Sequence, residues 1–193
     1  MSKSNIQKIR KEVLSDNWYT LYKYTYEYQK SDGHWENQMR EVYDRGNGAA
    51  ILLINKKKGS IILTKQFRMP TYVNGNTSGM MIEVCAGLLD GAHPEDCIKK
   101  EVEEETGYKI NQVQKVFESY MSPGSVTEIL HFFIGEYEDQ MKIGEGGGAE
   151  DESENIEVLE ISFDKAMGML VNGEIKDAKT IMLLQYASLN HLL

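Results

Sequence analysis

Along residues 18–28 the order WYTLYKYTYEY alternates aromatic and polar side chains, the period of a strand with one face covered. Ser31-Asp32-Gly33 reads as a turn, and a second strand follows through residues 39–43, so the pattern predicts a β-hairpin arm. Before it, residues 4–13 fit a short helix and a strand equally well. After two glycines in residues 44–48, AAILLIN at 49–55 and SIILTKQF at 60–67 read as strands joined by the KKKG turn, with the nearly continuous apolar runs of central strands covered on both faces. A Gly/Asn-rich loop at 72–79 leads to a strand at 81–86, and further strands are predicted at 113–119, 128–138 and 156–162. Three segments carry helical signals. The first starts at Pro94, with Glu95 and Asp96 in its first turn, and stops at Gly107. The second runs from about 164 to 171, with Gly173 at its end. The third runs from 177 towards 193, with Met182, Leu183, Tyr186 and Leu189 as its apolar stripe. Strands and helices mix without strict alternation, which predicts an α/β fold of the α+β kind, a mixed sheet flanked by helices. The arm takes residues 1–45 and one domain takes 46–193.

Charge narrows the class of partner. Lys and Arg number 21 against 30 Asp and Glu, a formal net charge of −9, and no basic stripe interrupts it. A nucleic-acid backbone needs clustered cations, so polymeric DNA or RNA is excluded as the expected partner, whereas a small polyphosphate bridged by a cation suits such a surface. The two cysteines, Cys85 and Cys97, have no metal-site spacing and read as reduced, buried small residues. The longest apolar run, 49–54, is too short to cross a bilayer, and no secretory signal opens the sequence. The expectation is a soluble, cytoplasmic protein. The arm's aromatics, Trp18, Tyr19, Tyr22, Tyr24, Tyr26 and Tyr28, exceed what a lone hairpin buries. Packing on the chain's own core and packing on a second subunit both remain open.

The chemistry concentrates in GLLDGAHPEDCIKKEVEEETGY, residues 87–108. Its helix carries Glu101, Glu103, Glu104 and Glu105. Glu101 shares a face with Glu104 and Glu105, and like charges at that spacing repel, so a positive group is expected there. Ile98 and Val102 form an apolar pair for the core, and Lys100 can pair with Glu104. Glu101 and Glu105 are left as a clamp of hard oxygen ligands, suited to Mg²⁺, which keeps several waters and is completed by substrate phosphates. Lys179, near the start of the last helix, is placed to reach a phosphate.

The stretch reads G-x5-H-x6-K-E-V-x-E-E-T-G-Y and resembles the Nudix box, G-x5-E-x7-R-E-U-x-E-E-x-G-U, with U a bulky apolar residue. The part from Glu101 to Tyr108 matches in full. His93 stands for the first glutamate, Lys100 for the arginine, and the spacing between them is one residue short. In that family these two residues help hold loop and helix together, so the departures bear on rigidity rather than on metal binding. AGLLD at 86–90, YMSPG at 120–124, EVYDRGNGA at 41–49 and GGG followed by acids at 146–152 are similar to the GDP-mannose pyrophosphatase subfamily of Nudix hydrolases, so the resemblance covers nearly the whole chain.

The resemblance implies an α/β/α Nudix sandwich and Mg²⁺-dependent hydrolysis, with Mn²⁺ as a substitute, of the pyrophosphate in a nucleoside diphosphate sugar, GDP-mannose first. Metal ligands would be the Ala86 carbonyl, Glu101, Glu105 and Glu152. Glu152 would be the general base, with Asp151 as the fallback, while Glu105 and Glu104 complete the catalytic set. Arg68, Ala86, Gly87, Leu88, Glu128, Asp151 and Lys179 would contact substrate. Trp18, Arg40 and Glu41 would do so through an arm that crosses to the other subunit of a homodimer. The box leaves open the same chemistry on ADP-ribose or another ADP-sugar, and a catalytically weak nucleotide-binding module.

Overall fold

A computed structural model describes residues 4–148 and 155–193. The chain divides into two compact units, one of Met1–Asn47 with Tyr120–Ile129, the other of Gly48–Ser119 with Leu130–Leu193.

In the first unit, β1 (Ile6–Asp16), β2 (Thr20–Gln29) and β3 (Trp35–Asp44) form an antiparallel sheet in the order β1-β2-β3. The predicted hairpin is β2 and β3. Residues 4–13, which the pattern left between helix and strand, supply a third strand. β1 is exposed along almost its whole length, so its apolar residues show no one-sided burial that a period would report. Its pairing shifts register between Gln7 and Arg10 and again between Val13 and Ser15. Salt bridges Lys8–Glu27 at 2.8 Å and Lys23–Glu12 at 2.7 Å tie β1 to β2. The residues just after YMSPG are clasped to the end of β3: Tyr43 N–H donates to the Ser125 carbonyl at 2.7 Å, and Thr127 N–H to the Tyr43 carbonyl at 3.1 Å.

The second unit holds β4 (Gly48–Asn55), β5 (Ser60–Phe67), α1 (Met69–Val73), β6 (Met80–Glu83), β7 (Cys85–Leu88), α2 (Pro94–Thr106), β8 (Gln114–Tyr120), β9 (Ile129–Glu136), β10 (Glu157–Ser162), α3 (Phe163–Val171) and α4 (Ala178–Leu189). The mixed sheet runs β10-β5-β4-β9-β8, with β6 beside β5 and β7 beside β4. Every residue of β4 is buried, and β4 pairs antiparallel with β5 and β7 and parallel with β9. Ala49, Ile51 and Leu53 belong to one core cluster with Ile98 and Val102 of α2. Both helix residues are fully buried, each stabilising by about 1.5–3 kcal/mol. α4 packs on β4 as well, burying Leu183, Leu184 and Ala187. Helices on a central sheet give the expected Nudix-type sandwich.

Three local expectations change. The strand predicted at 81–86 is two strands, because the chain changes partner at Val84: Glu83 pairs with Thr64 of β5, while Cys85 pairs with Ile51 of β4. The Val84 N–H, released from the ladder, donates to the Thr180 hydroxyl at 2.8 Å. The loop after Arg68 opens with the short helix α1. The last helix ends at Leu189, four residues short of the chain end, and its buried positions are Thr180, Leu183, Leu184 and Ala187. Leu189, expected on the buried stripe, is 80% exposed. A segment as apolar as IMLLQYASL has no unique face by periodicity; in the fold Leu183, Leu184 and Ala187 take the buried face, and the Thr180–Val84 bond lies on the same side.

Candidate active site

α2 is built as its sequence dictates. Pro94 fills a first-turn position where its missing N–H costs nothing, and Gly107 closes the helix at φ 74°, donating to the Glu103 carbonyl at 3.1 Å. The N-cap is His93, whose Nδ1 accepts from the Glu95 N–H at 3.4 Å. The residue that departs from the box thus satisfies one of the free amides at the start of the helix. Lys100, the second departure, pairs with Glu104 at 2.7 Å on the outer face. The Cys97 thiol, donating to the Leu88 carbonyl at 3.1 Å, adds a tie between the helix and the end of β7.

Glu101 and Glu105 turn the other way, toward β7. Glu105 is 2% exposed, and its Oε2 accepts from the Ala86 N–H at 3.3 Å. Glu101 lies directly over Gly87, where a Cβ would fall inside its carboxyl group. The two carboxylates therefore converge on two consecutive backbone units of β7. Beneath them, burial raises the Cys85 thiol well above its ordinary value, and Glu105 and Glu101 push it the same way. Among the described residues no group of three or more His, Cys, Asp or Glu side chains is arranged to hold a metal ion. Two carboxylates and a backbone carbonyl are nevertheless hard oxygen donors of the kind that a divalent cation takes while retaining waters and substrate oxygens, so the residues present fit such an ion.

The last turn of α2 is tied to the glycine loop. Gly147 N–H donates to the Glu105 carbonyl at 2.9 Å and Gly148 N–H to the Glu104 carbonyl at 3.1 Å, satisfying acceptors that the helix itself leaves open. The approach is possible only because Gly107 and Gly146 lack side chains: a Cβ on either would overlap the backbone of the other segment. Asp151 and Glu152, just beyond, lie outside the described residues.

The second unit also holds Arg68 and Lys179, brought together by a residue the sequence reading passed over. Glu83 is 3% exposed. Arg68 Nε donates to its Oε1 at 3.0 Å and Nη2 to its Oε2 at 2.7 Å, while Lys179 Nζ reaches the same Oε2 at 2.9 Å. Burial alone would raise the Glu83 carboxyl, but Arg68 and Lys179 outweigh it and hold the group at about 2. The signal in the sequence was a lone acid in the apolar run MMIEV, since a buried charge must be paired.

In the first unit, Glu128 lies 3.6 Å from Arg45, whose guanidinium stands over the Tyr19 ring at 5.4 Å. Arg40 bonds the Met39 carbonyl at 2.7 Å, Glu41 sits opposite Lys23 in the sheet, and Trp18 is 84% exposed with an edge contact to Tyr19.

A mixed sheet carrying a helix of this sequence, with two of its glutamates on a glycine-containing strand, defines a hydrolase of the Nudix type. A family model for the NUDIX domain matches residues 44–184, and one described as the GDP-mannose pyrophosphatase NudK N-terminal domain matches residues 5–43. The chain belongs to the Nudix family. It is 56% identical over 188 residues to a GDP-mannose pyrophosphatase of Yersinia enterocolitica, covering 97% of each chain. It is also 56% identical over 184 residues to a GDP-mannose pyrophosphatase of Pectobacterium atrosepticum, covering 95% of this chain and 94% of the relative.

Two outcomes follow from this geometry. Gly87→Ala forces the Glu101 carboxyl away from β7, and kcat/KM for pyrophosphate hydrolysis is expected to fall by about 10²-fold, with the far-ultraviolet circular dichroism unchanged. The second concerns acid. Because the folded-state pKa of Glu83 is depressed from 4.5 to about 2, its contribution is present above 4.5 and lost as pH falls toward 2. The stability advantage of wild type over Glu83→Gln should therefore shrink by on the order of 3 kcal/mol across that window, read by urea denaturation at stepped pH.

Proposed function

We propose that the chain hydrolyses the pyrophosphate of GDP-mannose, giving GMP and mannose 1-phosphate, with Mg²⁺ as its metal and Mn²⁺ as a substitute. The observation that carries this reading is the convergence of Glu101 and Glu105 on the Ala86–Gly87 backbone, at the end of a helix with the sequence of the box. The relatives' names supply the substrate. Glu101, Glu105, the Ala86 carbonyl and Glu152 would hold the ion, which when bound offsets charge on the phosphate oxygens. Glu152, with Asp151 as fallback, accepts a proton from the attacking water. The water oxygen bonds to phosphorus, the bridging P–O bond breaks, and the leaving phosphate departs as the second product. Glu104, paired with Lys100, is the remaining acid of the catalytic set. Arg68 and Lys179 meet the phosphates, with Gly87, Leu88 and Glu128 completing the substrate contacts. On this reading the enzyme works in the cytoplasm, and its two free buried thiols support that assignment.

The arm, residues 1–45, is assigned to a homodimer in which Trp18, Arg40 and Glu41 meet the nucleotide sugar of the other subunit. The support is its run of exposed apolar side chains, Ile6, Ile9, Val13, Leu14, Trp18 and Met39. Light scattering at micromolar concentration should return twice the chain mass, and a fully active monomer would refute the assignment.

Incubating the protein with Mg²⁺ and a panel of sugar nucleotides, dinucleotides and nucleoside triphosphates, with products resolved by chromatography, tests the reaction. GMP and mannose 1-phosphate should dominate. Preferential cleavage of ADP-ribose would transfer the reading to ADP-sugars, and no cleavage at all would leave a nucleotide-binding module. Glu105→Gln should abolish most turnover in a folded protein. Glu152→Gln should lower kcat by about 10²-fold or more with KM little changed, the loss expected for a general base. Wild-type kcat in both Glu152→Gln and Asp151→Asn would move the base to Glu104 or Glu128.

A further inference from the structure

The carboxylate of Glu83 stands at the centre of a closed ring of polar contacts. Its Oε2 accepts from both Arg68 Nη2 and Lys179 Nζ, two cations delivered by elements far apart in the chain. Lys179 Nζ also donates to Asp177 Oδ1 at 3.0 Å. Asp177, the N-cap of α4, accepts from the Thr180 N–H at 2.9 Å and from the Thr180 hydroxyl at 2.6 Å. The same hydroxyl takes the Val84 N–H at 2.8 Å, and Val84 is the residue after Glu83. The ring thus joins the start of α4 to the point where the chain changes strand partner, Val84, two residues before the Ala86 amide held by Glu105.

Two cations sharing one acceptor atom would repel and swing apart if that atom were uncharged. Arg and Lys are also among the side chains with most rotamer freedom to lose on binding an anion. Glu83 settles both matters before any ligand arrives. It takes the Nε and Nη2 edge of Arg68, whose side chain is 39% exposed, and leaves Nη1 outside that pair of bonds. Lys179, at 13% exposure, is pinned by two carboxylates.

We propose that Glu83 is a positioning residue that fixes Arg68 and Lys179 jointly as one anion-binding corner for the phosphates of the substrate. This rests on the reading that Arg68 and Lys179 contact those phosphates. Glu83 itself touches no substrate, so its removal acts on binding through its partners.

Steady-state kinetics with GDP-mannose test it. Arg68→Met and Lys179→Met each raise KM; if neither does, the phosphate-contact reading fails, and the positioning role fails with it. With those effects established, Glu83→Gln raises KM by about 10-fold with kcat little altered, and adds nothing further in the Arg68→Met, Lys179→Met background. A wild-type KM for Glu83→Gln beside a lowered Tm overturns the proposal while leaving the phosphate contacts intact. If Glu83→Gln does not fold, Glu83→Met with Arg68→Met replaces the ion pair by apolar groups. In that protein Lys179→Met should change KM by less than half the factor it does in wild type, and an undiminished factor overturns the proposal.

Discussion

Four glutamates within five helical positions repel one another, and the second unit is arranged so that each has a different way out. Glu103 leans to Lys109 at 3.5 Å and Glu104 to Lys100 at 2.7 Å, both on the solvent side. Glu105 is buried and takes a backbone N–H, and Glu101 occupies space that only a glycine leaves open. Burying Ile98 and Val102 against β4 sets the rotation of α2, and that rotation decides which two acids face the strand and which two face water. The apolar contacts therefore carry the chemistry, because a small turn of the helix would bring the wrong carboxylates to β7.

Holding the helix by its ends matters as much as holding its side. Its N-terminus is capped by His93, and its C-terminal carbonyls are taken by the amides of Gly147 and Gly148. The glycine loop is in this way registered to the backbone of Glu104 and Glu105 themselves. The residues that depart from the box are accommodated by other contacts: Lys100 binds within its own helix, and the Cys97 thiol joins the helix to the end of β7.

The change of strand partner at Val84 links this helix to the rest of the unit. It lets one short stretch serve two strands, with Glu83 beside β5 and Cys85–Leu88 beside β4, and so puts the buried ion cluster and the carboxylate pair within a few residues of each other. Glu83 is a costly residue to bury, and its two cationic partners offset the cost.

Much of this was determined by sequence alone. The limits of α2, the pairing of Lys100 with Glu104, the burial of Ile98 and Val102, the doubly covered strands β4 and β5 and the family itself were all legible, because each depends on local spacing: a period, a proline, a glycine or a motif. Tertiary structure decided the remainder. β1 is exposed on both faces, so no period marked it as a strand. The face of α4 was hidden because so much of it is apolar, and it is marked only in the fold, by the burial of Leu183, Leu184 and Ala187 and by the Thr180 hydroxyl bonded to Val84. Glu83 looked like one acid in an apolar strand, and its meaning came only when Arg68 and Lys179, 15 and 96 positions away in the chain, closed on the same carboxylate. Contacts between distant residues leave no spacing in the sequence, and for that reason the folded chain alone reveals them.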